Sequence, residues 1–239
     1  MTAADVETPQ TQLKPSLARR VLPIAIAALI GLAGFWIWRE HFQTYHLAAV
    51  QEGVLYRDGN RGMREFATTV QKIKPKTVVC LLDDTELADP AKPMFGQEMS
   101  YLQQHGVRVE RIAVPLGGWP SSEQVKQFLD VVRKPENQPV LVHCAQGMRR
   151  TGMMAAAYQQ SVLKMDDAKA RDAVLMFGRK DTSRSVVDIR NFIDAYDETT
   201  GEVKANFAQP TTAEAGKVNW EREKSNYSVA CVAAVAAFF

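Results

Sequence analysis

Thr77-Val78-Val79-Cys80-Leu81-Leu82, set behind Pro75, is a short unbroken apolar run rich in valine and leucine. A run of that length is a strand covered on both faces, and such strands belong to parallel sheets with helices on either side. The neighbouring sequence agrees. Val54 to Arg57, Val107 to Leu116 and Pro139 to His143 read as further strands. Between them lie helical stretches from Gly62 to Lys72, from Phe95 to His105 and from Ser121 to Lys134. Gly106 stands where a left-handed cap closes the second of these, and Ser121 with Gln124 has capping-box spacing at the start of the third. Thr151 to Leu163 and two helices near 166–177 and 185–197 complete the pattern. Alternation of this kind predicts an α/β fold with a largely parallel central sheet flanked by helices.

A second feature stands apart from that alternation. Val21 to Trp38 is 18 residues without a charge, and a helix of that length reaches about 27 Å, close to the ~30 Å thickness of a bilayer core. It ends in Phe35-Trp36-Ile37-Trp38, bulky where a signal-peptide cleavage site needs small residues. An uncleaved transmembrane anchor is therefore expected at 21–38. Lys14, Arg19 and Arg20 put the tail 1–20 in the cytoplasm and the remainder outside, on the periplasmic side of the inner membrane. The expected organisation continues as a linker at 39–50, a catalytic domain at 51–198, a polar linker at 199–227 and a short apolar segment at 228–239. That last segment spans about 18 Å as a helix and cannot cross a bilayer alone.

Composition removes several function classes. Lys+Arg 29 against Asp+Glu 27 leaves a net charge of +2, which gives no electrostatic case for a nucleic-acid partner. Three cysteines without a C-x-x-C pair, and four histidines without H-x-x-x-H spacing, indicate no metal and no disulfide framework. Cys80 and Cys231 read as structural. No cofactor is called for.

The chemistry concentrates in His143-Cys144-Ala145-Gln146-Gly147-Met148-Arg149-Arg150-Thr151-Gly152, which follows a buried strand and opens a helix. A five-residue loop curling onto a helix N-terminus can aim successive N–H groups of Ala145, Gln146, Gly147, Met148 and Arg149 into one concavity, an anion cradle. Gly147 permits the turn. Arg150 offers a planar fork that matches two phosphate oxygens, which a lysine could meet only as a point charge. The same dipoles favour a thiolate, so Cys144 is the expected nucleophile. Thr151 can give its hydroxyl to that sulfur when it leaves. His143 is expected to orient the loop, and Arg149 either adds positive field or is solvated.

The order strand, His-Cys-x5-Arg-Thr-Gly, helix resembles the active-site loop of cysteine-based protein tyrosine phosphatases, especially the compact dual-specificity branch with bacterial and fungal members. Leu55-Tyr56-Arg57, Thr77 to Leu82, Ala113 to Leu116, Pro139 to Val142 and the helix Ala168 to Gly178 stand in the same order, so the resemblance covers roughly residues 50–198. It implies hydrolysis of phosphomonoesters, phosphotyrosine or phosphoprotein among them, through a cysteinyl-phosphate. Phosphorylated proteins or small phosphomonoesters are the expected partners, with the membrane held by the N-terminal helix. Family members use an upstream Asp to protonate the leaving oxygen, whereas Val114 to Glu123 here carries Gly117-Gly118 at that place. Glu123, Asp83 and Asp84 are the candidate acids, against the simpler readings of a first-turn dipole residue and a solvated strand-end turn. Two other functions fit parts of the pattern: a domain that binds phosphorylated ligands with little turnover, and a rhodanese-like sulfurtransferase, against which Arg150-Thr151-Gly152 argues.

Overall fold

In the computed structural model, which describes residues 17–41 and 44–204, the apolar runs named above become the middle of a five-stranded sheet. Its strands are β1 (Ala48–Gln51), β2 (Leu55–Gly59), β3 (Thr77–Cys80), β4 (Arg108–Arg111) and β5 (Val140–Cys144), in the order β1-β2-β5-β3-β4. All neighbours are parallel except the edge strand β1, which runs antiparallel to β2. Register places Asp58 and Cys80 beside His143, and Gly59 beside Cys144.

Side chains alternate across that sheet and divide the core in two. Val78 and Leu141 face Phe66, Val70 and Leu102, which come from helices α2 (Met63–Ile73) and α4 (Pro93–Gln104). A four-residue turn of helix, α3 (Asp84–Leu87), precedes α4. The opposite face carries Val79, Val140, Val142 and Cys144. They pack with residues of α5 (Ser122–Arg133), α6 (Arg149–Ser161) and α8 (Arg184–Ala195), and the short α7 (Asp167–Asp172) joins the last two. The helix starts follow the chemistry of their caps. Asp83 and Ser121 each close a capping box with the residue three positions on, and Gly106 takes φ 67° behind α4.

The structure departs from the sequence expectation at element ends. The strand expected to reach Leu116 stops at Arg111, and beyond it only Ile112 and Val114 donate to β3 and its extension, at 3.0 and 3.3 Å. Pro115 has no N–H to continue the ladder. The helix expected to 177 stops at Asp172, and α6 begins at Arg149, two residues before Thr151. The edge strand β1 has too little alternation to be read from sequence. The polar stretch expected to begin at 199 holds a hairpin between β6 (Tyr196–Asp197) and β7 (Glu202–Val203). Asp197 accepts from the Thr199 N–H and hydroxyl at 3.0 and 2.6 Å, and Gly201 supplies the positive φ that the turn needs.

Residues 17–41 form helix α1 (Leu17–His41) in a compact unit separate from the one that begins at Thr44. The anchor expected at 21–38 falls within α1, several of whose side chains are outside the described residues. Among the described residues no helix is long and apolar enough to cross a membrane. Most of the expected tail at 1–20, nearly all of the polar linker and the apolar segment 228–239 also lie outside the described residues.

Candidate active site

A bowl of inward N–H groups requires the same peptides to turn their carbonyls outward, and buried carbonyls need donors. All five carbonyls from Cys144 to Met148 have one. The Asn60 N–H donates to the oxygens of Cys144 and Ala145 at 3.3 and 3.0 Å. His46 Nδ1 donates to Gln146 O at 2.7 Å. Arg57 Nη2 donates to Gly147 O at 2.7 Å and to Met148 O at 3.3 Å, and the Gly152 N–H of α6 also reaches Met148 O. In a trans peptide the next N–H opposes each carbonyl, so the amides of residues 145–149 turn the other way. Gly147 takes φ 65°, and a Cβ there would stand 2.4 Å from the Asp58 carbonyl oxygen, so only glycine lets the loop lie this close to β2.

Arg57 and His46 lie outside the motif. Arg57 is buried beneath the loop, on the sheet face that carries Cys144, with its guanidinium 5.4 Å from the centre of the Phe177 ring. Burial lowers its pKa to about 10. His46 stacks between Tyr45 and Phe177, and burial holds it down at about 4, a neutral ring at pH 7. Arg179 Nη2 donates to the Gln146 side chain at 2.7 Å and closes the loop from above.

Cys144, at the end of β5, is 3% exposed. Burial alone would push its thiol up. The charge of Arg150 and the neighbouring Thr151 hydroxyl and N–H outweigh it, and the thiol lies below its ordinary value. The Arg150 side chain is buried too and is held by four bonds. Nη1 donates to Leu81 O at 3.1 Å, to Val114 O at 3.0 Å and to Glu86 Oε2 at 2.5 Å, while Nη2 donates to Glu86 Oε1 at 2.7 Å. Those bonds occupy both Nη1 hydrogens and one on Nη2, which leaves Nε–H and the second Nη2 hydrogen for an oxyanion. Burial disfavours the guanidinium charge, but Glu86 and the Cys144 sulfur reverse that, and its pKa is raised. Glu86 was not singled out in the sequence. Its spacing from Asp83 marks a capping box, and that box aims its carboxylate at Arg150.

Other expected site residues fall elsewhere. Arg149 is neither solvated nor turned to the bowl: Nε donates to Asp188 Oδ2 at 2.5 Å and Nη1 to Gly118 O at 2.9 Å, tying α6 to α8 and to the 115–118 turn. Asp83 is a cap. Its oxygens accept from the Glu86 N–H, the Thr85 hydroxyl and the Leu116 N–H at 2.9, 2.5 and 2.9 Å. Burial would raise it, yet those bonds and Arg150 hold it below the usual carboxylate range, so it has no proton to give at pH 7. Asp84 is exposed and paired with Arg111 at 2.8 Å. Glu123 is exposed in the first turn of α5. Cys80 and Cys144 occupy adjacent strands but opposite faces of the sheet, which separates their sulfurs.

Comparison with known proteins gives a consistent result. The family model described as "DSP-PTPase phosphatase fused to NAD+ Kinase" matches residues 67–195. The chain is 26% identical over 107 residues to the inositol diphosphatase SIW14 of Saccharomyces cerevisiae, covering 43% of this chain and 35% of that protein. It is 27% identical over 119 residues to the inositol diphosphatase DSP1 of Oryza sativa subsp. japonica, covering 48% and 49%. It thus spans about half or less of the length of these two relatives. The core catalytic domain of the S. cerevisiae PP-IP phosphatase SIW14, solved with citrate, superposes with a TM-score of 0.53 at 19% identity, over 66% of this chain and 88% of that one, a likeness of fold.

Proposed function

Since this chain belongs to the DSP-PTPase family, within the cysteine-based protein tyrosine phosphatase superfamily of dual-specificity type, we propose that it is a phosphatase working through a cysteinyl-phosphate on Cys144. The observation that carries the reading is the set of five outward carbonyls, each with its donor, around a depressed thiol. A phosphoryl group docks on the amides of residues 145–149 and the free edge of Arg150. The Cys144 thiolate attacks phosphorus, an S–P bond forms, and the P–O bond to the leaving group breaks with its electron pair on oxygen. Water then cleaves S–P, and the Thr151 hydroxyl gives a hydrogen bond to the departing sulfur. Fixed amides and a guanidinium supply the charge stabilisation.

The substrate follows from the leaving group. Glu123, Asp83 and Asp84 are exposed, paired or ionised, so groups that leave without a proton are favoured. Aryl phosphates such as phosphotyrosine meet that condition. So do diphosphates, whose leaving group is itself a phosphate, as the names of the yeast and rice relatives suggest. The test is phosphate release by the purified full chain from p-nitrophenyl phosphate, phosphotyrosine and phosphoserine peptides, an inositol phosphate and an inositol diphosphate, with Cys144→Ser as control. Turnover of the aryl and diphosphate substrates alone supports the reading. Anion binding with no turnover of any of them makes the chain a phosphate-binding domain instead.

We also read residues 21–38 as a single-pass anchor with the phosphatase unit on the extracytoplasmic side. The charge-free run supports this, as do Leu22, Ile24, Leu29, Ile30, Leu32 and Trp36, each more than half exposed and spread around all sides of α1. A reporter fused after residue 50 that is active only in the cytoplasm refutes the orientation.

A further inference from the structure

The face of the sheet opposite Cys144 carries a polar cluster that the reaction does not use. Asp58, Cys80 and His143 project there from adjacent strand ends, and Glu98 of α4 reaches Cys80 and His143. Glu98 is fully buried. Asn60 Nδ2 donates to its Oε2, Cys80 Sγ donates to its Oε1 at 3.4 Å, and His143 Nε2 stands 3.4 Å from the same Oε1. One carboxyl therefore joins the ends of β2, β3 and β5. Two of its three partners lead directly to the loop: His143 is the residue before Cys144, and the Asn60 N–H holds the carbonyls of Cys144 and Ala145.

We propose that Glu98 is a positioning residue for the phosphate loop, acting through Asn60 and His143 from the far side of the sheet. The inference rests on the reading of Cys144 as nucleophile. A buried polar group without partners is costly, so a carboxyl in this place persists because it is tied to something. Here it is tied to the backbone that turns the first loop amides inward. The protonation states fit a neutral network. Burial pushes Glu98 up to about 8 against the pull of Asn60 and Cys80, with Glu86 adding to the rise, and burial holds His143 down at about 4. Cys80 is pushed up by burial and by Glu98, and Asp58 is pushed to about 8 by burial. At pH 7 Glu98 is thus a carboxylic acid that can give its proton to His143 Nε2 while accepting from Asn60. A glutamine can reproduce both bonds, whereas alanine makes neither.

The experiment compares the full chain with Glu98→Gln, Glu98→Ala, Asn60→Ala and the double variant Glu98→Ala with Asn60→Ala. It reads kcat and KM for p-nitrophenyl phosphate from pH 5.5 to 9, vanadate binding, and thermal unfolding. Glu98→Ala and Asn60→Ala should each lower kcat and vanadate affinity by about tenfold or more, and the double variant should lose little beyond either one, since both cut the same tie. Glu98→Gln should recover most of that loss near pH 6.5 and should remove the fall in kcat that the parent shows as Glu98 ionises near pH 8. A folded Glu98→Ala with parental kcat and vanadate affinity overturns the inference. So does a Glu98→Gln that keeps the alkaline fall, or stoichiometric zinc lost on Cys80→Ser, which would make Cys80, Glu98 and His143 ligands. A parent that neither turns over nor binds vanadate fails at the phosphatase reading itself, and that outcome is visible before any Glu98 variant is compared.

Discussion

Replacing Glu86 by glutamine keeps the shape of the side chain and removes its charge. In the native structure that charge meets the Arg150 guanidinium at 2.5 and 2.7 Å, with both side chains about 5% exposed. Removing one partner of a buried pair strands the other, at a cost of about 3–5 kcal/mol. The carbonyls of Leu81 and Val114 still accept from Nη1, which argues for the lower end. About 3 kcal/mol in a domain of this size corresponds to a fall in Tm of roughly 6–12 °C. Activity should fall as well, because the edge of Arg150 offered to phosphate is fixed by what holds the opposite edge. A displacement of about 1 Å at such a group costs on the order of 10²-fold in rate. The thiol should move the other way. Glu86 raises Cys144, so its loss should lower the pH at which iodoacetamide inactivates the enzyme. The assay is therefore threefold: thermal unfolding by circular dichroism, kcat with p-nitrophenyl phosphate, and the pH profile of alkylation. A variant that is less stable and less active yet more readily alkylated at low pH fits the geometry. One with unchanged Tm and kcat within twofold of the parent refutes it.

Gly147→Ala places a Cβ 2.4 Å from the Asp58 carbonyl at a positive φ, so it should cost about 1–3 kcal/mol and abolish turnover, read by urea unfolding and phosphate release. Asp83→Ala removes a cap rather than an acid, so Tm should fall while the ratio of aryl to alkyl phosphate hydrolysis stays fixed; a selective loss on the alkyl substrate makes Asp83 the acid after all. Stability should depend on pH in a direction set by buried groups. Asp58 and Glu98 rise from 3.8 and 4.5 to about 8, so unfolding releases their protons at intermediate pH and stability falls as pH rises toward 8. His143 and His46, lowered from 6.5 to about 4, act oppositely, losing stability as pH falls through 6.5. The effects oppose each other below 6.5. Above it the two acids lower stability together at about 1.4 kcal/mol per group per unit, opposed by the single lowered Cys144 thiol, so the urea midpoint should be lower at pH 8 than at 6.5. Equal midpoints refute the burial argument.

What could be read in the sequence, and what could not, divides along a physical line. Thr77 to Leu82 announces its strand because both faces of β3 are covered, and Ser121 with Gln124 announces its helix because a cap is a local contract between near neighbours. The loop from His143 to Gly152 is legible for the same reason, since nucleophile, amides and guanidinium come from one short stretch. Its supports are not legible. An anion bowl built from inward amides has an equal number of outward carbonyls, and of these only Met148 O finds a donor within the motif, the Gly152 N–H. The other donors must come from elsewhere: here from His46, Arg57 and Asn60, some 85 to 100 positions away in the chain. Parallel pairing of β2 with β5 brings Arg57 and Asn60 alongside, and the segment leading into the antiparallel edge strand β1 brings His46, through registers that no local pattern encodes. Glu86 is the intermediate case. Its capping box is visible in Asp83 to Glu86, but a capping glutamate is common, and only the fold shows that this one faces Arg150. A motif of this kind thus states a debt of hydrogen bonds as well as a chemistry. Counting the carbonyls it must leave outward predicts that donors from other elements exist, and the coordinates identify them as His46, Arg57 and Asn60.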